Sequence, residues 1–210
     1  MKCLVIGATG ATGYSLVQQL LEDDRFSEVV VFVRSEFPLE NDKLKVHQVD
    51  FNNHDEWANL IQGDVAFSCL GTTLKQAGSK EKQWKVDYEY QYNFAKNASL
   101  NKVPVFVLVS AQGANSDSKM FYSRMKGELE NAIDKLSFEK LVIMKPGLLK
   151  RPDSDRFGER LAEKMLNAFN SIGVFKSYKP LPVQVLASKM IEKAMSSEED
   201  RIVVVSEFQN

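Results

Sequence analysis

Three glycines spaced three apart, Gly7, Gly10 and Gly13, follow the apolar run Cys3–Ile6 directly and open a helical stripe of Leu16, Val17, Leu20 and Leu21. A strand that feeds a helix through such a turn admits few folds. The chain must reverse tightly, and the helix must pack close to the strand it has just left. Gly7 permits the reversal, Gly10 lets backbone approach a pyrophosphate, and Gly13 lets the helix lie against the sheet. Phosphates would then face the free N–H groups of the helix N-terminus around Ala11, with hydroxyl donors from Thr9 and Thr12 nearby. A glycine-rich turn alone can be ordinary βα punctuation; at the first strand–helix junction it predicts a dinucleotide site.

The remaining chain repeats the alternation. Apolar, β-branched runs recur at Val29–Val33, Val46–Val49, Val65–Leu70, Val105–Val109, Leu141–Met144 and Ile202–Val205. Most are continuous, as in strands covered on both faces. Helical spacing separates them, in the stripe Trp57, Leu60, Ile61 and in Trp84–Leu100, Phe121–Leu136, Leu161–Phe169 and Val183–Met195. Strand alternating with helix predicts an α/β fold, a doubly wound and mostly parallel sheet with helices on both faces. At 210 residues the chain predicts a single domain: a core over 1–150 and a small substrate-side cap over 151–210.

Composition narrows the function classes. Lys and Arg number 27 against 28 Asp and Glu, and the net charge of -1 offers no basic excess for nucleic acid. The longest apolar runs are far short of the ~20 residues of a membrane span, which predicts no membrane partner. With no signal-peptide pattern after Met1-Lys2, the expected location is cytoplasmic. Asn97-Ala98-Ser99 then reads as a chance match to a glycosylation acceptor.

The second apolar run ends in Arg34, 27 residues after Gly7. NAD sites place a carboxylate at this point, whereas a guanidinium can grip a 2′-phosphate through two parallel hydrogen bonds. Arg34 therefore favours NADP(H) over NAD(H), with Glu36 as a counter-argument. Asp50-Phe51 closes the third run, where a carboxylate can receive the adenine amino group. Leu70-Gly71-Thr72 closes the fourth, where glycine lets backbone approach the adenosine ribose. Each doubles as an ordinary strand-end turn.

Tyr122 and Lys126 stand four apart, on one face of a helix. A nearby cation stabilises phenolate, which suits a tyrosine to move a proton near neutrality, as carbonyl reduction by hydride requires. The same spacing recurs at Tyr92 and Lys96. That pair lies before the fifth strand, within the series Tyr88, Tyr90, Tyr92, Phe94, and reads as packing or surface. Tyr122 instead follows the fifth strand, twelve residues after Ser110 at its carboxyl end.

A glycine-rich turn, a serine ending the fifth strand and Tyr-x-x-x-Lys resemble the short-chain dehydrogenase/reductase superfamily. Phe67-Ser68-Cys69-Leu70-Gly71-Thr72-Thr73 with Lys75-Gln76-Ala77-Gly78 narrows the likeness, as do Leu108–Ala114 and Lys145-Pro146-Gly147-Leu148-Leu149. These segments are similar to an atypical branch, the Tat-interacting, metastasis-suppressor oxidoreductases and their bacterial relatives. The resemblance implies a Rossmann fold binding NADPH, with Tyr122 as acid/base, Lys126 on the nicotinamide ribose, and Pro146, Gly147 and Leu148 beside the nicotinamide. One departure matters: such proteins commonly carry two serines after the fifth strand, and here Ser110 is followed by Ala111.

Two readings stay open, with a third less favoured. The first is an NADP(H)-dependent reductase of a small carbonyl substrate, with catalytic Tyr122, Lys126 and Ser110. The second is a catalytically silent NADPH-binding regulator that acts through a protein partner or as a homodimer. A nucleotide-sugar epimerase or dehydratase is disfavoured by the short C-terminal segment. No metal site is expected, since His47 and His54 fit no zinc spacing. Cys3 and Cys69 are placed too far apart to bridge, and Cys69 reads as a packed thiol. Lys150, Arg151 and Arg156 could hold an anionic substrate group, and Phe157, Phe169, Phe175 and Tyr178 could wall a pocket; surface and core roles are the alternatives.

Overall fold

The computed structural model describes residues 1–150, 180–197 and 201–206. Among them seven parallel strands form one sheet: β1 Lys2–Ile6, β2 Glu28–Val33, β3 Leu44–Gln48, β4 Val65–Ser68, β5 Val105–Val109, β6 Lys140–Met144 and β9 Ile202–Val205. Their order is β3-β2-β1-β4-β5-β6-β9. β7 (Leu149–Lys150) and β8 (Leu181–Pro182) make a separate short parallel pair.

The continuous apolar runs follow from this architecture. Successive side chains of a strand point to opposite faces, so a strand covered on both sides needs no polar alternation. Cys3, Val5, Val29, Val31, Val107 and Val142 meet Leu16, Val17 and Leu20 of α1 (Ala11–Glu22) and Leu186 and Met190 of the C-terminal helix. Leu4, Ile6, Val30, Phe32, Phe106 and Leu108 meet the other layer, which includes Phe94 and Ala98 before β5 and Leu129 and Ile133 after it.

Several boundaries differ from the sequence reading. β3 begins two residues before the expected Val46 and is an edge strand, with Val46 itself exposed. The stripe Trp57, Leu60, Ile61 forms two 3₁₀ turns, His54–Glu56 and Ala58–Leu60, rather than an α-helix. Trp57 Nε1 donates to the Asp50 carbonyl (3.0 Å), and the Asn101 amide donates to the carbonyls of Ala58 and Ile61. Those ties take carbonyl acceptors that a propagating helix would use.

The expected helix Trp84–Leu100 is compound. After β4 the chain makes α2 (Leu74–Ala77) and α3 (Lys80–Trp84), a π-helical turn over Lys85–Glu89, then α4 (Tyr90–Leu100). A reciprocal capping box between Thr73 and Gln76 starts α2, and Gly78 ends it in the left-handed region at φ +83°. α5 spans Phe121–Asp134.

Of the expected cap, residues 180–197 and 201–206 supply α6 (Val183–Met195), packed on α1, and β9, paired with β6. The expected helix Leu161–Phe169, with Arg151, Arg156, Phe157, Phe175 and Tyr178, lies outside the described residues. No helix among the described residues is long and apolar enough to cross a membrane.

The strand order reverses between β1 and β4, and in open α/β sheets ligands bind outside the carboxyl ends of the strands at that point. The candidate site is built there.

Candidate functional site

The turn after β1 is sterically committed. Gly7 has φ +78°, and a Cβ there would lie 2.6 Å from the Leu70 nitrogen. A Cβ on Gly13 would run into the Gly7 carbonyl. The conflict at Gly10 is milder: a Cβ there would lie 3.3 Å from the Gly7 carbonyl oxygen, tight but not overlapping, and Gly10 caps α1 without a side-chain hydrogen bond. No acidic residue occupies the first turn of α1, so the positive end of its dipole faces the strand edge.

A groove of about 540 Å³ opens beside this turn, lined by Gly7, Thr9, Gly10, Arg34, Leu70, Gly71 and Thr72 among others. Seven predicted cofactor residues from β1, β2 and β4 thus converge on one cavity. Ala11, Thr12 and Gly13 form the first turn of α1 behind it, with Thr12 and Gly13 buried. Arg34 is exposed, and no ion pair engages its guanidinium among the described residues.

The end of β3 makes a local turn of its own. Both oxygens of Asp50 already accept hydrogen bonds, from the backbone and amide of Asn52 and from Asn53, so this carboxylate closes its own turn. Phe51 is buried between Trp57 and Tyr90. Asp50 is nonetheless exposed and keeps acceptor capacity on Oδ2, whereas Phe51 is enclosed by its aromatic neighbours.

The segment after β4 presents three stripes at i, i+4, i+8. Gln83, Asp87 and Gln91 turn inward: Gln83 donates to the Thr72 carbonyl (3.1 Å), Asp87 accepts from the Thr72 N–H (2.8 Å), and Gln91 bridges Ser68 and the Asp87 carbonyl. Trp84, Tyr88 and Tyr92 stack as an aromatic ladder. Tyr92 therefore belongs to that ladder, away from the groove. Lys82, Lys85, Val86 and Tyr90 line the groove.

Asp87 was absent from the sequence reading. It sits in the π turn, an irregularity frequent at functional sites. Its carboxylate is fully buried and stands 3.4 Å from the Lys126 ammonium, itself only 2% exposed. Burial pushes the Asp87 carboxyl above its ordinary range, against the opposing pull of Lys126 and the Thr72 N–H. Lys126 also lies 6.0 Å from the centroid of the Tyr122 ring. Tyr122 is 43% exposed, so the predicted pair is a solvent-accessible phenol backed by a buried cation.

Ser110, expected to position a carbonyl, donates its hydroxyl hydrogen to Glu130, whose other oxygen pairs with Lys145 at 2.7 Å. Glu130 and Lys145 also escaped the sequence reading. Tyr122, Lys126 and Glu130 form one stripe of α5 at i, i+4, i+8, so the periodicity carried the signal. The loop Pro146-Gly147-Leu148 follows β6; Gln112 N–H donates to the Pro146 carbonyl (2.9 Å), and a Cβ on Gly147 would lie 2.9 Å from the Gln112 Oε1. Leu148 is partly exposed on this edge.

Cys3 and Cys69 are both free thiols, and burial pushes each up to about 12. Neither is a nucleophile near neutrality. His47 stacks on Phe32, within the β2–β3 packing.

The chain matches a family model described as NAD(P)H-binding over residues 7–164. The chain belongs to the NAD(P)H-binding family. Within it the atypical short-chain dehydrogenase/reductase branch is marked by two relatives. Protein FMP52, mitochondrial, of Candida albicans is 31% identical over 98% of this chain and 94% of its own. Protein HTATIP2 of Rattus norvegicus is 36% identical over 78% of this chain and 69% of its own. The expectation of a cytoplasmic location is overturned by the FMP52 relatives, which are named as mitochondrial proteins.

Solved structures share the fold of this NAD(P)H-binding chain. MoeE5 in complex with UDP-glucose and NAD aligns with TM-score 0.73 at 16% identity, covering 100% of this chain and 76% of that one. ElxO with NADPH bound aligns with TM-score 0.68 at 15% identity, covering 98% and 96%. At such identity the likeness concerns the Rossmann fold alone.

Proposed function

We propose that this NAD(P)H-binding protein is an NADP(H)-dependent reductase of a small carbonyl compound. The observation that carries the reading is the buried Lys126–Asp87 pair behind the exposed Tyr122, on the edge that the glycine turn opens. The groove suits a dinucleotide: its wall is glycine backbone, its floor is the uncapped end of α1, and its charged side chains among the described residues are all cations. The nicotinamide cofactor, when bound, supplies the hydride. Tyr122 gives its phenolic proton to the carbonyl oxygen as the carbonyl carbon takes the hydride, leaving an alcohol and the oxidised cofactor, and regains a proton from water. Lys126, fixed by Asp87, holds the charge that favours this transfer and reaches for the nicotinamide ribose. Arg34, free of carboxylate partners among the described residues, takes the 2′-phosphate. The small substrate enters beside Pro146, Gly147 and Leu148, and the FMP52 relatives' names support a mitochondrial setting.

A silent NADPH-binding regulator, working through a protein partner or as a homodimer, draws support from Ser110. Its proton is committed to Glu130, and Ala111 supplies no second hydroxyl. NADPH consumption over a panel of aldehydes and ketones separates the two readings. Turnover by the wild type supports the reductase; NADPH binding with no turnover on any of them contradicts it.

A further inference from the structure

The groove contains more positive charge than the predicted phosphate contacts require. Besides Arg34 it is lined by Lys82 and Lys85, both exposed, and by no carboxylate among the described residues. Neither lysine forms an ion pair with a described residue. The protein as a whole has a net charge of -1, so these cations are a local concentration rather than a share of a basic surface.

Their placement is enforced from several directions. Ser79 accepts a hydrogen bond from the Lys82 N–H (3.2 Å) and starts α3. Gln83, next in the chain, is nearly fully buried and tied to the Thr72 carbonyl. Asp87, two residues beyond Lys85, receives the Thr72 N–H. The inward stripe thus anchors the helix to the end of β4, and the neighbouring stripe is turned into the groove as a consequence of helical geometry.

Resting on the reading of the groove as a dinucleotide site, we propose that Lys82 and Lys85 form a second cationic arm that grips the pyrophosphate across the groove from the glycine turn. The pyrophosphate belongs at the strand-order reversal between β1 and β4, beside the α1 N-terminus. Lys82 and Lys85 come from the segment that leaves β4 at that reversal. Arg34 leaves β2, on the far side of β1, close to Tyr90. The two sources of charge therefore serve different phosphates: the lysines hold the group common to NADPH and NADH, and Arg34 holds the group that distinguishes them. An ammonium on a flexible stem acts as a point charge and suits a diphosphate whose two units share the negative charge; the guanidinium fork suits one terminal phosphate.

The test measures dissociation constants of NADPH and NADH for the wild type, for Lys82→Glu/Lys85→Glu, and for Lys75→Glu/Lys135→Glu. The last makes the same net charge change at exposed positions outside the groove. The lysine arm predicts that reversal at 82 and 85 weakens both dinucleotides by a similar factor, about tenfold or more (~1.4 kcal/mol), beyond any effect of the control. Loss confined to NADPH overturns the pyrophosphate assignment. A loss no larger than the control's overturns the arm altogether. A wild type that binds neither dinucleotide defeats the underlying site reading, an outcome distinct from both.

Discussion

Lys126 and Asp87 place opposite charges 3.4 Å apart with almost no access to water, joining α5 to the π turn before α4. Removing one partner of a buried pair leaves an uncompensated charge, which typically costs ~3–5 kcal/mol. Asp87→Ala is therefore expected to lose about that much in denaturant melts, and Asp87→Asn less, because its amide oxygen can still accept from Thr72. Turnover should fall in both, since Lys126 loses its fixed position.

The pair also has a pH signature. The folded carboxyl is raised above its ordinary value of 3.8, so between the two values the native state holds a proton that the unfolded chain has released. Asp87's contribution to stability therefore falls as pH rises through that window. Stability profiles of wild type and Asp87→Asn should differ by this slope and run parallel well above it; identical slopes would contradict the assignment.

Ser110 acts here as a support for Glu130 rather than as a free donor. A hydrogen bond to a charged group contributes ~1.5–3 kcal/mol, so Ser110→Ala should lower stability by up to that amount while changing kcat little. Ala111→Ser restores a hydroxyl at the position following the strand. If carbonyl polarisation is what the site lacks, this variant raises kcat by roughly 10²-fold, the low end of the range for one oxyanion donor. Steady-state kinetics of both variants decide between the two residues.

The three glycines of the first turn should separate by phenotype. Gly13→Ala forces a methyl against the Gly7 carbonyl and is expected to destabilise the fold by ~1–3 kcal/mol or more, the cost of overpacking. Gly10→Ala sets its methyl 3.3 Å from the Gly7 carbonyl oxygen, a tight contact relieved by a small shift, and fills the approach to the groove. It should melt within about 1 kcal/mol of wild type, the scale of a glycine-to-alanine effect, while binding NADPH at least severalfold more weakly. Calorimetry with and without NADPH checks the contrast.

The fold could be read largely from local pattern because seven apolar runs and their helical spacers reflect strands buried on both faces, an arrangement with few competing explanations. The glycine turn was readable because backbone conflicts at Gly7 and Gly13 leave no alternative residue type. Trp57, Leu60 and Ile61 misled because burial at helical spacing does not specify hydrogen bonding, and Asn101, distant in sequence, decided it. Asp87 was invisible for a related reason. Its partner lies 39 residues away, and a lone acid between Val86 and Tyr88 looks like any solvated helix residue. The inward polar stripe of Gln83, Asp87 and Gln91 was the available signal. Lys82 lies in the mixed charge run Lys80-Glu81-Lys82, which carries no signal of its own; the anchored helix is what turns it toward the groove.

Arg34 is the residue proposed to set the cofactor preference. Arg34→Ala should weaken NADPH by about tenfold to a hundredfold, the loss of one charge-assisted phosphate contact of ~1.5–3 kcal/mol, and leave NADH nearly unchanged. Titration with both dinucleotides gives the answer, and equal losses would remove the argument for NADP(H).

Tyr122 is proposed to pass a proton to a carbonyl held on the strand edge beside Pro146, Gly147 and Leu148. The most direct test of this step is NADPH-dependent carbonyl reduction by Tyr122→Phe, with NADPH affinity measured on the same sample. The account predicts unchanged affinity and a kcat lowered by at least ~10²-fold, the usual contribution of a positioned acid. Full turnover by the phenylalanine variant, with affinity intact, would contradict it.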